Sequence, residues 1–237
     1  MTGRTREEQL AETFVSLADT LVADYDVVEL LHTLVQRCAE ILGAADAGIL
    51  LPDHGGNLEV IASTSERSRL ISLLQLSSGE GPCVDAYETG KVVSVDDIAA
   101  TSARWPRFAT QAAGLGYHSM YAIPMRLRDQ TIGSLNLFSD GAGPTDPQDA
   151  AAAKALADIA TIGILHERAI READVAREQL QHALNSRVII EQAKGVIAHT
   201  DGVDMEEAFQ RLRTRARNSG QLLSIVARDV VESASRH

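Results

Sequence analysis

The spacing of apolar residues at the start of the chain predicts two amphipathic helices. Within residues 7–24, apolar side chains recur every three or four positions, as they do on one face of a helix. The same spacing continues in residues 26–42, where Asp26 can act as the N-cap and Gly43 as the stop. The face of the first helix consists of Leu10, Phe14, Leu17 and Leu21.

The spacing changes after Gly43, and short runs rich in β-branched and apolar residues predict strands. Two hairpins are expected, and further strands and helices lie between them. The predicted strands are 46–51, 58–64, 92–95, 119–125 and 131–138; the predicted helices are 83–89 and 104–113, with a helical or irregular segment over 66–76. This order of elements predicts an α+β domain with one antiparallel sheet and helices on its faces.

A very long helix is predicted to follow, with Asp146 as N-cap and Pro147 at its first position. From there to about residue 199 there is no further proline and few glycines. Its apolar residues form a stripe with steps of three or four: Ile162, Leu165, Ala169, Ala173, Ala176, Leu180, Leu184 and Val188. The stripe fits a two-stranded coiled coil, and the alternative is a long helix packed on its own domain.

Two short helices end the chain. Thr200–Val203 breaks the long helix, and Asp204 with Glu207 is a capping-box variant that begins a helix reaching about Asn218. The last helix covers about residues 222–233. Together with the end of the long helix, they predict a three-helix unit.

The charge of the chain differs between its two parts. The whole chain of 237 residues has a net charge of −11 and argues against a surface that is basic throughout. Residues 182–237, however, hold eight Lys or Arg and seven Asp or Glu, so the acidity belongs to the part before them. On the helix 204–218, Arg211, Arg213, Arg215 and Arg217 flank the apolar stripe. This pattern indicates phosphate binding, or else a solvated face paired with the acidic first turn.

Several classes of protein do not fit the sequence. The N-terminus is polar and lacks the apolar core of a signal peptide, and no apolar run reaches the ~18 residues of a membrane span, so we expect a cytoplasmic protein. Two cysteines and scattered histidines give no metal-ligand spacing. No nucleophile elbow, metalloprotease motif or P-loop occurs, and the pair Asp96-Asp97 lacks the context of a receiver domain. We therefore expect no enzymatic activity.

The segment Ala183-Leu-Asn-Ser-Arg-Val-Ile-Ile-Glu-Gln-Ala-Lys-Gly-Val-Ile197, followed by Glu207-Ala-Phe-Gln-Arg-Leu-Arg213, resembles the signature of ANTAR domains. The resemblance covers essentially all of residues 180–232. It implies an RNA-binding three-helix module that acts in bacterial transcription antitermination, recognises paired hairpins in a nascent leader transcript and works as a dimer.

The residues of this segment suit such a role. Arg187 and Gln192 can hydrogen-bond to base edges in a loop, and Lys194 and Arg213 can contact phosphate. Small residues allow close approach of RNA or of a neighbouring helix, with core packing as the alternative. The candidate RNA-binding residues are Arg187, Gln192, Ala193, Lys194, Gly195, Arg213, Arg215, Ala216 and Arg217.

The N-terminal part resembles a GAF domain over about residues 25–170. The phrases that carry the resemblance are Asp46-Ala-Gly-Ile-Leu-Leu51, Gly79-Glu-Gly-Pro82, Tyr121-Ala-Ile-Pro-Met125 and Ile132-Gly-Ser-Leu-Asn-Leu-Phe138. The resemblance implies a sensory module with an antiparallel sheet and a small-molecule pocket. By fold analogy, Cys83, Tyr87, Trp105, Phe108 and Tyr121 are the candidate pocket residues. Cys83, at a predicted helix start that would lower its thiol pKa, is either a redox or ligand-attachment site or a buried structural residue.

These observations predict a sensor domain over residues 1–170 and an RNA-binding domain over 171–237 that includes the coiled-coil helix. We expect a signal-responsive antitermination regulator that binds leader RNA as a homodimer. We also expect it to respond to a small-molecule ligand of unidentified chemistry and not to bind membranes. Two alternatives remain open: a helix-turn-helix DNA-binding transcription factor with the same sensor, and a sensory dimerisation protein that binds no nucleic acid.

Overall fold

The computed structural model describes residues 6–20 and 27–234 and divides the chain into two compact units, Met1–Glu167 and Arg168–His237. The predicted N-cap Asp26 and the apolar residue Leu21 lie outside the described residues, and so does the side chain of Leu17. Among the residues described, no helix is long and apolar enough to cross a membrane.

A five-stranded sheet in the order β2-β1-β5-β4-β3 forms the centre of the first unit, and all its neighbouring strands pair antiparallel. The fold is α+β, as the sequence predicts. Its strands are β1 (Asp46–Pro52), β2 (Leu58–Ser63), β3 (Val93–Val95), β4 (Ser119–Leu127) and β5 (Gln130–Ser139). Its helices are α1 (Arg6–Thr20), α2 (Val27–Leu42), α3 (Glu66–Ser78), α4 (Pro82–Thr89) and α5 (Pro106–Gly114).

The remaining helices are α6 (Pro147–Asp201), α7 (Met205–Ser219) and α8 (Leu223–Ala234). The long helix predicted from the proline-free segment is therefore a single element of 55 residues. The segment 66–76, which the sequence leaves as helical or irregular, is helix α3, and a capping box between Ser65 and Ser68 fixes its start.

Each face of the sheet is covered by its own hydrophobic core. Side chains alternate between the two faces along a strand. In β4, Tyr121 and Ile123 pack into the core under α2 and the first part of α6. Met120 and Ala122 of the same strand pack into the core under α3, α4 and α5. The α6 residues of the first core are Ala153, Leu156, Ala157, Ala160 and Ile164. The sheet is thus a middle layer between two layers of helices.

An ion pair between the buried Asp46 carboxylate and the partly exposed Arg67 ties the start of the sheet to α3. The Asp46 carboxylate accepts hydrogen bonds from Arg67 Nε at 2.9 Å, from the Tyr117 hydroxyl at 2.7 Å and from Thr64 Oγ1 at 2.9 Å. The Arg67 guanidinium also lies 4.3 Å from the centre of the Tyr117 ring. Because every oxygen of this buried carboxylate has a donor, the network fixes three separate segments to one another.

The segment Gly79-Glu-Gly-Pro82, whose glycines and proline break helices, separates α3 from α4. Gly79 ends α3 in the left-handed region, and Gly81 begins α4 with a φ of 139°. A Cβ at Gly81 would overlap the Gln75 side chain, whose Oε1 accepts a hydrogen bond from the Cys83 backbone N–H at 3.0 Å. Glycine at 81 therefore allows the close contact between the two helices.

Both cysteines are fully buried and lie in different cores. Burial raises the pKa of the Cys38 thiol to about 12 and raises that of Cys83 well above its ordinary value. The expectation that a helix start lowers the pKa of Cys83 is wrong, because loss of hydration outweighs the helix dipole at a site without solvent.

We predict that neither thiol of the folded protein reacts with a disulfide reagent such as DTNB at pH 8 on the timescale on which an exposed cysteine reacts. The physical reason is that both thiols are protonated and shielded from solvent. The same protein unfolded in guanidinium should release two equivalents of thiolate product. Rapid modification of either thiol in the folded protein would contradict the burial of that cysteine.

We predict that Asp46→Asn lowers the free energy of unfolding by about 2 kcal/mol, less than for a fully buried pair because the Arg67 side chain is 34% exposed. Asp140→Asn is a matched control: Asp140 Oδ1 lies 3.2 Å from Arg67 Nη1, but its side chain is 58% exposed, so the destabilisation should stay below about 1 kcal/mol. Urea unfolding monitored by circular dichroism measures the free energy of unfolding of both variants.

The same variant should change the dependence of stability on pH. Burial alone would raise the pKa of Asp46, but the hydrogen bonds that the carboxylate accepts outweigh burial and hold its pKa below the ordinary value. The stabilisation that the ionised Asp46 carboxylate gives to the folded state is therefore present above about pH 4. It is lost as the pH falls through the folded-state pKa. The unfolding free energy of Asp46→Asn should decline less steeply below pH 4 than that of the unaltered protein; equal slopes would contradict this assignment.

Candidate nucleic-acid interface

The end of α6 packs with α7 and α8 around a small core of its own. Asp204 caps α7 by accepting a hydrogen bond from the Glu207 backbone N–H at 2.8 Å, and Gly220 ends α7 in the left-handed region. The buried residues of this core are Ala193, Ile197, Ala208, Leu212, Ala216, Val226 and Ala227.

Two of the candidate RNA-binding residues belong to that core. Ala193 is 0% exposed and Ala216 is 7% exposed, so their side chains face the neighbouring helices. Their small size lets α6 and α7 approach each other closely, which is the packing alternative considered for them in the sequence. Neither side chain is placed to contact RNA.

Four basic candidates gather on one side of the three-helix unit, which we call the basic flank: Arg187, Lys194, Arg213 and Arg217. Lys194 Nζ lies 5.6 Å from the centre of the Phe209 ring, and Arg213 and Arg217 follow Phe209 by one and two helical turns on the same side of α7. Arg187 precedes Lys194 by two turns on the same face of α6. The helices thus bring these four cations to one surface.

The members of the basic flank differ in their ion pairing. Lys194 Nζ donates to both carboxylate oxygens of Glu191 at 3.0 Å, and its side chain is only 18% exposed. The exposed guanidinium groups of Arg187, Arg213 and Arg217 make no ion pair within the described part of the chain. The arginines are therefore available to an anion, while Lys194 is oriented by Glu191 and Phe209.

Arg211 has a structural role instead. It forms ion pairs with Glu207 and Asp201, at 3.0 and 2.9 Å, and these hydrogen bonds raise its pKa. The sequence suggests that acidic residues of the first turn pair with the arginines of α7, and the structure places that pairing at Arg211. The charges of Arg213, Arg215 and Arg217 stay uncompensated among the described residues.

The remaining candidates lie on other surfaces. Gln192 and Gly195 are exposed on α6. Apart from the adjoining residues and backbone of α6 itself, no atom lies within 4 Å of the position that a Gly195 Cβ would occupy. The structure therefore gives Gly195 no packing role within the described chain. Arg215 projects from the opposite side of α7 and lines a groove beside α8, together with His199 and Asp229, which no sequence pattern singles out.

The middle of α6 is exposed on all sides. Large apolar side chains remain in water there, including Leu180 at 63%, Leu184 at 50% and Val188 at 58% exposure. Of the predicted stripe, Leu165 packs against the first core, whereas Ala169, Ala173 and Ala176 are exposed. Exposed apolar residues repeated on one helix face are typical of a surface that meets another helix.

The candidate pocket residues of the sensor unit do not share one lining. Cys83, Trp105 and Phe108 belong to the core under α3, α4 and α5, and the two rings meet edge to face at 6.2 Å. Tyr121 packs against the core on the other face of the sheet, and Tyr87 is half-buried. The odd and even positions of β4 face opposite ways, which is why Tyr121 cannot join the others.

Two polar side chains that the sequence patterns do not reveal are buried on the Cys83 side of the sheet. Gln75 and Asn136 are both 0% exposed, and Gln75 Nε2 and Asn136 Oδ1 have no hydrogen-bond partner among the described residues. Asn136 Nδ2 donates to Ser134 Oγ at 3.2 Å, so only its oxygen is open. Each of these atoms is a buried hydrogen-bonding group without a partner among the described residues, which is uncommon in a folded core.

Comparisons with known proteins agree with this description. The model of the GAF domain family matches residues 24–165, and that of the ANTAR domain family matches residues 178–231. No curated protein matches the chain in sequence.

Solved structures show the fold of the first unit. The free methionine-R-sulfoxide reductase from Neisseria meningitidis, in complex with its substrate, superposes with a TM-score of 0.54 at 21% identity, covering 70% of this chain and 91% of that one. The GAF domain of a phosphoenolpyruvate-protein phosphotransferase from Coxiella burnetii gives 0.54 at 18% identity, covering 71% and 99%. That of the Acinetobacter enzyme gives 0.52 at 16% identity, covering 68% and 95%.

The family matches, in the order found along the sequence, identify what the two units are. GAF domains are sensory and ANTAR domains are RNA-binding regulatory modules, and both are joined here through α6. This chain belongs to the GAF domain family and carries an ANTAR domain after its GAF domain.

Proposed function

We propose that this protein is a signal-responsive antitermination regulator that binds hairpins of a nascent leader RNA as a homodimer. In this proposal the GAF domain, within residues 1–170, receives a small-molecule signal. The ANTAR domain, with the coiled-coil part of α6 in residues 171–237, binds the RNA.

The observation that carries the proposal is the basic flank. Three guanidinium groups without ion pairs in the described chain stand beside an oriented ammonium group, on a unit whose family binds RNA. Guanidinium groups suit phosphate because their planar donors match two oxygens at once. Within a chain of net charge −11, this surface can attract RNA only locally, so non-specific binding should be weak.

The exposed apolar stripe supports the dimer. Leu180, Leu184 and Val188 follow one another at four-residue steps, and a second copy of α6 would remove them from water. A dimer carries two ANTAR units, so it can hold two hairpins at once and gain affinity from the link between them.

The sensor would act on this assembly by shifting populations. A ligand that binds one state of the GAF domain better than another changes the state of α6, because α6 begins in the GAF core and ends in the ANTAR core. The unpartnered Gln75 Nε2 and Asn136 Oδ1 favour a small polar ligand that both donates and accepts hydrogen bonds.

The helix-turn-helix alternative has less support. Its recognition helix would be α8, whose described residues include a single basic side chain, Arg228. Binding of duplex DNA in preference to hairpin RNA would favour this alternative, and binding of neither would favour a sensor that acts on a protein partner.

We predict that Arg213→Ala weakens binding to a two-hairpin leader RNA by roughly tenfold at constant salt, because it removes a cation that faces phosphate. The slope of log affinity against log salt should fall by about one for each phosphate that the variant no longer neutralises. Filter binding or fluorescence anisotropy over a salt series measures both. The control is Arg228→Ala, which removes the same charge from an exposed position outside the basic flank. Equal effects of the two substitutions would contradict the assignment of the basic flank.

We predict that Leu184→Lys converts the dimer into a monomer, since it places like charges in the proposed contact between the two copies of α6. Val175→Lys is the matched control: Val175 is 49% exposed, close to the 50% of Leu184, but lies on the opposite side of α6. Sedimentation equilibrium should show a monomer for Leu184→Lys and a dimer for Val175→Lys. A dimer in both would contradict the proposed contact.

A further inference from the structure

A groove of about 770 Å³ separates the end of α6 from α8 on the side of the ANTAR unit away from the basic flank. Its apolar wall includes Val196, Ile197 and Val230, and its polar rim includes His199, Arg215 and Asp229. The groove is open to solvent and lies wholly within the three-helix unit.

The charges around this groove balance, unlike those of the basic flank. Asp201, which also lines the groove, is neutralised by its ion pair with Arg211. Arg215 and Asp229 form no ion pair in the described part of the chain, so one free cation and one free anion remain at the rim. A phosphate would be attracted by the first and repelled by the second, and the groove therefore does not favour an anion.

The chemistry of the rim favours a flat, neutral molecule with separate donor and acceptor edges. A carboxylate only accepts hydrogen bonds and a guanidinium only donates them. Guanine offers the donors N1–H and N2–H on one edge and the acceptors O6 and N7 on another, whereas no other RNA base presents two adjacent donors. The apolar wall can cover the face of the ring.

We propose that this groove binds an unstacked guanine of a hairpin loop, with the Asp229 carboxylate accepting from N1–H and N2–H and the Arg215 guanidinium donating to O6 and N7. The inference rests on the proposed function and adds the base that the ANTAR unit reads. Phosphate contacts at the basic flank then supply affinity, and the groove supplies sequence preference.

The test uses the full chain and a hairpin selected from an RNA pool with one fixed stem and a random loop. Each loop guanine is replaced in turn by inosine, which lacks the N2 amino group, or by 7-deazaguanine, which lacks N7. At one loop position, inosine should weaken binding to the unaltered protein by roughly tenfold but should have no effect on binding to Asp229→Ala. At the same position, 7-deazaguanine should weaken binding to the unaltered protein and not to Arg215→Met.

Glu232→Ala is the control, because it removes an exposed negative charge from α8 outside the groove and should keep the full penalty for inosine. Selected loops without guanine, or penalties for inosine that are the same in Asp229→Ala and in the unaltered protein at every position, would overturn this inference while leaving RNA binding intact. If no hairpin from the pool binds, the proposed function fails and the inference fails with it.

Discussion

The structure depends on one continuous helix, α6, whose two ends pack into two separate hydrophobic cores. Its first part buries small and branched residues such as Ala157 and Ile164 against the sheet, and its last part buries Ala193 and Ile197 against α7 and α8. Between these segments the helix has no core to cover its apolar side chains within the described chain. Isolated helical segments gain most of their stability from packing, so this exposed stretch is where a partner or a signal can act most readily.

Local signals are enough to predict most of the architecture. The absence of proline after Pro147 predicts α6, Asp204 predicts the start of α7, and the breaker at Gly79–Pro82 predicts the separation of α3 from α4. Such features depend on a few neighbouring residues, and the sequence displays them directly. The order of the two families is equally visible in their motifs.

The details of the sites can be predicted only in part, because they depend on tertiary contacts. Fold analogy groups Tyr121 with Cys83. The period of two along β4 turns Tyr121 towards one core, whereas Cys83 of α4 belongs to the core on the other face of the sheet. The pairing of Arg211 with Asp201 joins two helices and leaves no pattern in either. The open hydrogen-bonding atoms of Gln75 and Asn136 likewise become apparent only once the core is assembled.

The protein joins a sensor with buried polar groups to a compact unit that carries the basic flank, and the proposed function requires two such units to act together on RNA. Native mass spectrometry of the full chain, with and without a two-hairpin leader RNA, tests this requirement directly. We expect a homodimer that binds a single two-hairpin RNA. A monomer that binds the RNA equally well, or a dimer that binds no RNA, would contradict the proposed function.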